Sequence, residues 1–218
     1  MALDATRRRR HTSRSAPELL DGLLLPSTEH ARTPQVASVL AQARDMIAAN
    51  ERLDMARLSA ELGVDRTTLF RWVGNRDQLL LEVIWSVVEP LLLECVTAAE
   101  GTGSAYLARV LGLWVEKAHR SPELQAVVSR DPERALRLLA TRDGGLHGRL
   151  VESVEKLLRQ ERAGGCLPHP VALDELAEIL VRTASSWVWT DLITGDPPDP
   201  IGLQVAVGLL LRPQPPKS

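Results

Sequence analysis

Residues 65–78, DRTTLFRWVGNRDQ, gather three arginines, two threonines, the chain's only Phe and one of its five Trp. Arginine and threonine here have chemistry suited to duplex DNA. A guanidinium donates two parallel hydrogen bonds to guanine O6 and N7, a threonine bonds a base edge or packs its methyl on thymine, and each good bidentate pair gives about 1–3 kcal/mol of discrimination. Just beyond, Asn75 and Gln78 form an Asn-x-x-Gln capping pattern with Arg76 directly after the cap. A cation there opposes the helix dipole, so its placement makes sense if exposed N–H groups and Arg76 clasp one phosphate together. The expected DNA-facing set is Arg66, Thr67, Thr68, Arg71, Trp72 and Arg76.

Such a set needs a rigid rod to present it. In ARLSAELGVDRTTLFRWV, residues 56–73, Leu58 and Leu62 give one short helix an apolar face, and Gly63 stands where the chain leaves that helix through a positive φ. Ser59 is small enough for close approach four residues before Gly63, and Asp65 caps a second short helix. Val64, Leu69 and Phe70 are expected to turn inward and Trp72 to flank the DNA backbone. The pattern predicts a helix-turn-helix whose second helix enters a major groove.

The stretch Leu58-Ser59-Ala60-Glu61-Leu62-Gly63-Val64-Asp65-Arg66-Thr67-Thr68-Leu69-Phe70-Arg71-Trp72-Val73-Gly74-Asn75-Arg76-Asp77-Gln78-Leu79 resembles the DNA-binding domain of the TetR family of transcriptional regulators, over about residues 36–88. Phe70 stands where that family usually has Tyr, and so lacks a hydroxyl for phosphate; Trp72 and Arg76 stand for His or Tyr and for Lys. The resemblance implies a ligand-responsive regulator, by the family's usual mode a repressor, that binds a palindromic double-stranded operator as a homodimer. It also implies a C-terminal domain that binds a small-molecule effector and forms the dimer. Effector binding would move the long helix beginning at Asn75, whose far part carries Val88 and Leu92, and so change the separation of the two recognition helices.

The remainder of the 218 residues reads as all-α. Periodicity is helical nearly everywhere, with nine or ten helices expected and no sustained strand-like alternation. The N-terminal arm ends in Thr33-Pro34, and proline follows a possible cap at Ser121-Pro122, Asp131-Pro132, His169-Pro170 and Asp199-Pro200, marking helix starts. The expected organisation is a basic arm over 1–34, a helix-turn-helix domain over 35–82, a helical effector-binding and dimerisation domain over 83–212, and a tail over 213–218. The net charge of −2 hides an asymmetry: residues 1–80 carry 12 Arg against 10 acidic side chains, while the rest carries 14 basic against 18 acidic. Arg7 to Arg10 in the arm can track a phosphate backbone or an adjacent minor groove. No apolar run reaches the roughly 18–20 residues of a membrane span, no secretory signal is evident, and Cys95 and Cys166 belong to no CxxC pattern. The expected setting is the cytoplasm, with no membrane partner, no metal and no cofactor.

For the effector, aromatic Trp85, Trp114 and Trp187 among Leu and Val, with Val88 and Leu92, suggest an apolar wall, and His119, His147, Thr183 and Ser186 supply the few polar groups, with Asp191 beside them. So few polar groups favour an apolar or amphiphilic ligand such as an acyl chain, a lactone or an aromatic metabolite. For the dimer, amphipathic helices over 146–162 and 170–193 suggest a four-helix bundle. Leu150, Val154, Leu157 and Leu158 form one stripe; Leu173, Leu176, Ile179, Leu180, Thr183 and Trp187 form the other, and either stripe serves equally well as intramolecular core. The competing classes are a helical-bundle enzyme and a protein-interaction module. No catalytic residue is expected, because GxSxG, HExxH, P-loop and GxGxxG patterns are all missing. Glu116-x-x-His119 has di-iron spacing, but such bundles need it twice.

Overall fold

The computed structural model describes residues 33–130, 132–140, 145–168 and 170–212. Residues 1–32 of the expected arm, with Arg7 to Arg10, the tail, Asp131, residues 141–144 and His169 lie outside these residues, while Thr33 and Pro34 of the expected arm belong to the start of the first helix. Among them the chain forms eleven helical segments and no strand. These are α1 (Pro34–Ala48), α2 (Met55–Glu61), α3 (Arg66–Val73), α4 (Arg76–Ala98), α5 (Gly103–Arg120), α6 (Pro122–Arg130), α7 (Pro132–Ala140), α8 (Leu146–Ala163), α9 (Leu173–Val188), α10 (Thr190–Thr194) and α11 (Pro200–Leu210). The single turn α10 follows α9 with only Trp189 between them.

Proline opens α1, α6, α7 and α11 as its fixed φ and missing N–H favour. Pro170 does not: α9 begins at Leu173, where Asp174 and Glu175 place negative charge in the first turn. The expected rod over 170–193 is therefore shorter, and it breaks at Trp189, whose φ of −100° and ψ of 14° leave the helical range.

The three N-terminal helices close a small core around Val39, Ala43, Leu58 and Leu69, each 0% exposed, and Leu79 at the start of α4 completes it. Each following helix has its own start signal. Asp54 accepts the N–H groups of Ala56 (2.7 Å) and Arg57 (3.3 Å) to cap α2. Gly63, at φ +65°, turns the chain from α2 into α3. Asp65 caps α3 by accepting both the N–H and the hydroxyl of Thr68, each at 2.8 Å, and these bonds hold its carboxyl below the usual value of 3.8. At α4, Asn75 Oδ1 accepts from Asp77 and Gln78 N–H, and Gln78 Oε1 accepts from Asn75 N–H, a complete capping box.

Helix α4 runs 23 residues, with Pro90 inside it, and packs on α1 at one end and on α5 along its length. The expected domain division after residue 82 therefore falls within one continuous helix. In the C-terminal part, α5 is the central element, packed by α4, α9 and α11, with α8 against α9. Leu150, Val154, Leu157 and Leu158 of α8 and Leu176 and Leu180 of α9 are 5% exposed or less within this single chain, and Leu173 packs half-buried against the same core. These residues, offered as a dimer surface, are intramolecular core: the two stripes face each other and α5 rather than a partner. Cys95 and Cys166 are free thiols, and burial pushes the Cys95 thiol up to about 12.

Behind α5, the buried Glu161 carboxylate accepts the Gly103 N–H at 2.5 Å. Gly103 has φ +64°, and a Cβ there would lie 2.3 Å from the Cys166 carbonyl oxygen. Gly103→Ala is expected to destabilise the protein by about 2 kcal/mol or more and to lower Tm by about 4–8 °C, measured by calorimetry. Asp65→Ala is expected to lower the thermal midpoint by about 2–4 °C at neutral pH, with Asp65→Ser recovering most of the loss. Because the native carboxyl is depressed, its contribution is complete above 3.8 and disappears as pH falls through the native value, so the melting curves of parent and Asp65→Ala converge in strong acid.

Candidate nucleic-acid interface

On α3 the buried edge is set by Leu69 and Val73, four residues apart. Arg71 and Thr67 are exposed on the far side, and Arg66 is exposed in the first turn. Among the described residues neither Arg66 nor Arg71 joins a salt bridge, whereas Arg57 is held by Glu51 and Glu61, and Arg120, Arg159 and Arg182 by carboxylates one helical turn away. The two α3 cations thus stand on a solvent-facing surface of a short capped helix, with Asp54 near enough to feel the field of Arg66.

Three expected placements change. Phe70 is not part of the small core: it is 43% exposed, on the side of α3 that carries Arg66 one turn before it and Thr67 three residues before it. With Leu69 already filling the core, a ring one position further on points about 100° away. Thr68 leaves the outward set, because it is half-buried and its hydroxyl donates to Asp65. The start of α4 needs no phosphate to satisfy its second and third N–H groups, since Asn75 already accepts both. Arg76 is half-buried, with Nε enclosed, and lines a small seam cavity of about 40 Å³ together with Leu53 and Leu80 on one side and Ala126, Val127 and Arg130 on the other. Trp72 is half-buried against the core at the edge of the α3 face.

The seam between the helix-turn-helix and the rest is held by cations of the C-terminal half. Arg134 of α7 donates through Nε to Asp77 at 2.8 Å and through Nη2 to the same oxygen. Arg149 of α8 makes a two-pronged pair with Glu82 and lies 5.5 Å from the centre of the Trp85 ring. Arg130 of α6 donates to the Asn50 side chain at 3.2 Å. Burial raises the neighbouring Glu89 carboxyl above its ordinary value, offset in part by Arg149.

The effector candidates are distributed over several helices of the C-terminal half. Trp85, Val88, Leu92 and Trp114 are core residues, 7% exposed or less. His147 is buried, with Nε2 2.9 Å from Glu178 Oε2, and His119 Nδ1 lies 3.8 Å from Asp191. Thr183 and Ser186 turn their hydroxyls back on their own helix carbonyls, and Ser186 is exposed. Trp187 packs over Gly202 of α11. A groove of about 430 Å³ runs elsewhere, along Ser86, Val87, Pro90 and Leu91 on the adjoining face of α4, with Arg44 and Lys117 at its sides. None of the nine candidates lines it or the seam cavity.

Sequence reasoning also missed the outer face of α11. Ile201, Val205 and Leu209, each one turn from the next, are 73%, 60% and 53% exposed, with Ile179 of α9 exposed at 43%, while Leu203, Val207 and Leu211 fill the core from the opposite face. The signal was present in PIGLQVAVGLL, a helix apolar on both sides. Among the described residues no helix is long and apolar enough to cross a membrane, and no three metal-ligating side chains converge.

Comparison with known proteins bears on this arrangement. The family description "Tetracyclin repressor-like, C-terminal domain" matches residues 102–212, just over half of the chain. The structure of the R. erythropolis transcriptional repressor QsdR, from the TetR family, is 29% identical and superposes with a TM-score of 0.74 over 81% of this chain and 94% of that one. The TetR family repressor AlkX from Dietzia sp. strain DQ12-45-1b, implicated in biodegradation of n-alkanes, is 21% identical with a TM-score of 0.54, over 82% of this chain and 92% of that one, and shares the fold. No curated protein matches. With an all-helical plan, a capped helix-turn-helix that exposes arginine, and a C-terminal half that fits the repressor-like domain, the chain belongs to the TetR family of transcriptional regulators, which are DNA-binding proteins and not enzymes.

Proposed function

We propose that the chain is a homodimeric repressor that binds a palindromic double-stranded operator through α3 and is released by a small apolar or amphiphilic effector. The observation that carries the reading is the exposed face of α3, where Arg66, Thr67 and Arg71 stand outside any ion pair among the described residues. Arg66 and Arg71 read base edges, Thr67 bonds a base edge or a phosphate, and Trp72 and Arg76 flank the backbone. Arg76 has its stem in the seam cavity, so a displacement of α6 or α7 bears directly on a phosphate contact.

One helix-turn-helix buries too little surface for tight specific binding, and two-fold symmetry places two recognition helices one DNA turn apart, about 34–36 Å. The dimer surface that fits is the outward stripe Ile201, Val205 and Leu209 of α11 with Ile179 of α9, an apolar strip too prominent to face water in a monomer. The effector class follows from the C-terminal half, where the buried polar or charged residues among the described ones are Ser121, His147, Ser153 and Glu161, against a large apolar core. An acyl chain or a lactone suits such surroundings. A complete switch requires the effector to favour the released form by up to about 5.5 kcal/mol.

Fluorescence anisotropy on duplexes from the neighbouring promoter, with salt titration, tests the DNA reading. Arg71→Ala is expected to lose about 1–3 kcal/mol on the preferred duplex and to relax base preference, and Arg76→Ala to weaken all duplexes alike and flatten the salt slope. Parent-like binding by both Arg66→Ala and Arg71→Ala would overturn it. Val205→Arg is expected to give a monomer in sedimentation with an unchanged helical CD spectrum and at least tenfold weaker operator binding; a Val205→Arg protein that remains a dimer sinks the α11 interface.

A further inference from the structure

Phe70 has no role in the fold or in the contacts assigned above. Its ring is 43% exposed although the small core beneath α3 is closed without it, and its neighbours on that side of the helix are Arg66, Thr67 and Arg71. A phenyl ring has no donor or acceptor, so it cannot bond a phosphate or the polar edge of a base. On a face that enters a major groove, the apolar group that B-DNA offers is the C5-methyl of thymine, which projects into the groove beside the acceptors of the pair. The adjoining arginines select guanine.

We infer that Phe70 is a specificity-determining residue that packs on a thymine methyl, so that each operator half-site holds a thymine next to a guanine read by Arg66 or Arg71. The inference rests on the reading of α3 as the recognition helix. Arg66 lies one turn before Phe70 and Arg71 directly follows it, and the guanidinium groups and the ring span only a few consecutive base pairs. Water is excluded from the methyl as the ring covers it, which gives apolar contact a base preference that a sugar or phosphate contact would lack.

The experiment begins with selection of the preferred duplex from a random pool by the full-length protein. If no sequence is enriched over the pool, the DNA-binding reading itself fails. On the selected duplex each thymine is then replaced singly by deoxyuridine, which removes the methyl and keeps the base pair. One thymine per half-site is expected to weaken parent binding about three- to tenfold when demethylated, and Phe70→Ala is expected to bind more weakly than the parent and to be indifferent, within about twofold, to that same replacement. Phe70→Leu, which keeps an apolar group, is expected to retain part of the methyl dependence. The exposed position lets all three proteins fold alike, checked by CD. A parent protein indifferent to every deoxyuridine, or a Phe70→Ala protein as sensitive as the parent, overturns the assignment while leaving sequence-specific binding intact.

Discussion

Helix α4 is buried at both ends in one continuous core, and the rest of the arrangement depends on that double burial. Its first turns put Leu79, Leu80 and Val83 beneath the helix-turn-helix, and its later turns put Val88, Leu92, Cys95 and Val96 into the bundle built on α5. A helix buried along 23 residues cannot tilt at one end without disturbing contacts at the other, because packed interiors rearrange in discrete steps rather than stretch. The arginine pairs across the seam reinforce this. Arg149 with Glu82 is the better shielded of them, with side chains 23% and 18% exposed, and removal of one member would leave a half-buried charge without its partner. Arg134 with Asp77 is more open and correspondingly weaker. The recognition helix is thus oriented by groups that belong to the other half of the molecule.

Among the described residues, the Lys and Arg ion pairs fall into two populations. Arg57, Arg120, Arg159 and Arg182 pair with a carboxylate one turn away, and Lys117, Arg134 and Arg149 pair with carboxylates of α4. Arg66 and Arg71 belong to neither population. In a protein of slight net negative charge, these two arginines leave positive charge on the exposed side of α3.

Much of this was legible in the residues. Asp65 and the Asn75–Gln78 pair announce their helices because a cap is a local interaction between neighbours in sequence, and Gly63 announces its turn for the same reason. The outward or inward fate of Phe70 was not legible, because on an eight-residue helix the buried edge is fixed by which of Leu69 and Phe70 finds space in a core made by α1 and α2, a tertiary matter. Whether the α8 and α9 stripes meet a partner or the chain's own core was open for a related reason: amphipathic spacing says that a face is covered, never by what. The outer stripe of α11 was overlooked because a helix apolar all round hides two faces in one pattern. The effector candidates were chosen by residue type, and Trp85 and Trp114 proved to be packing for the bundle.

Pro90 leaves one rung of the α4 ladder without its donor, near the groove beside Ser86 and Val87. Bending stiffness of a helix resides in those rungs, so the rod is most compliant there. The stretch ahead of that rung carries both arginine-clamped carboxylates, Asp77 and Glu82, while the stretch beyond it is embedded beside α5. The helix-turn-helix and the bundle are accordingly joined by a rod whose weakest rung lies between its two anchored stretches.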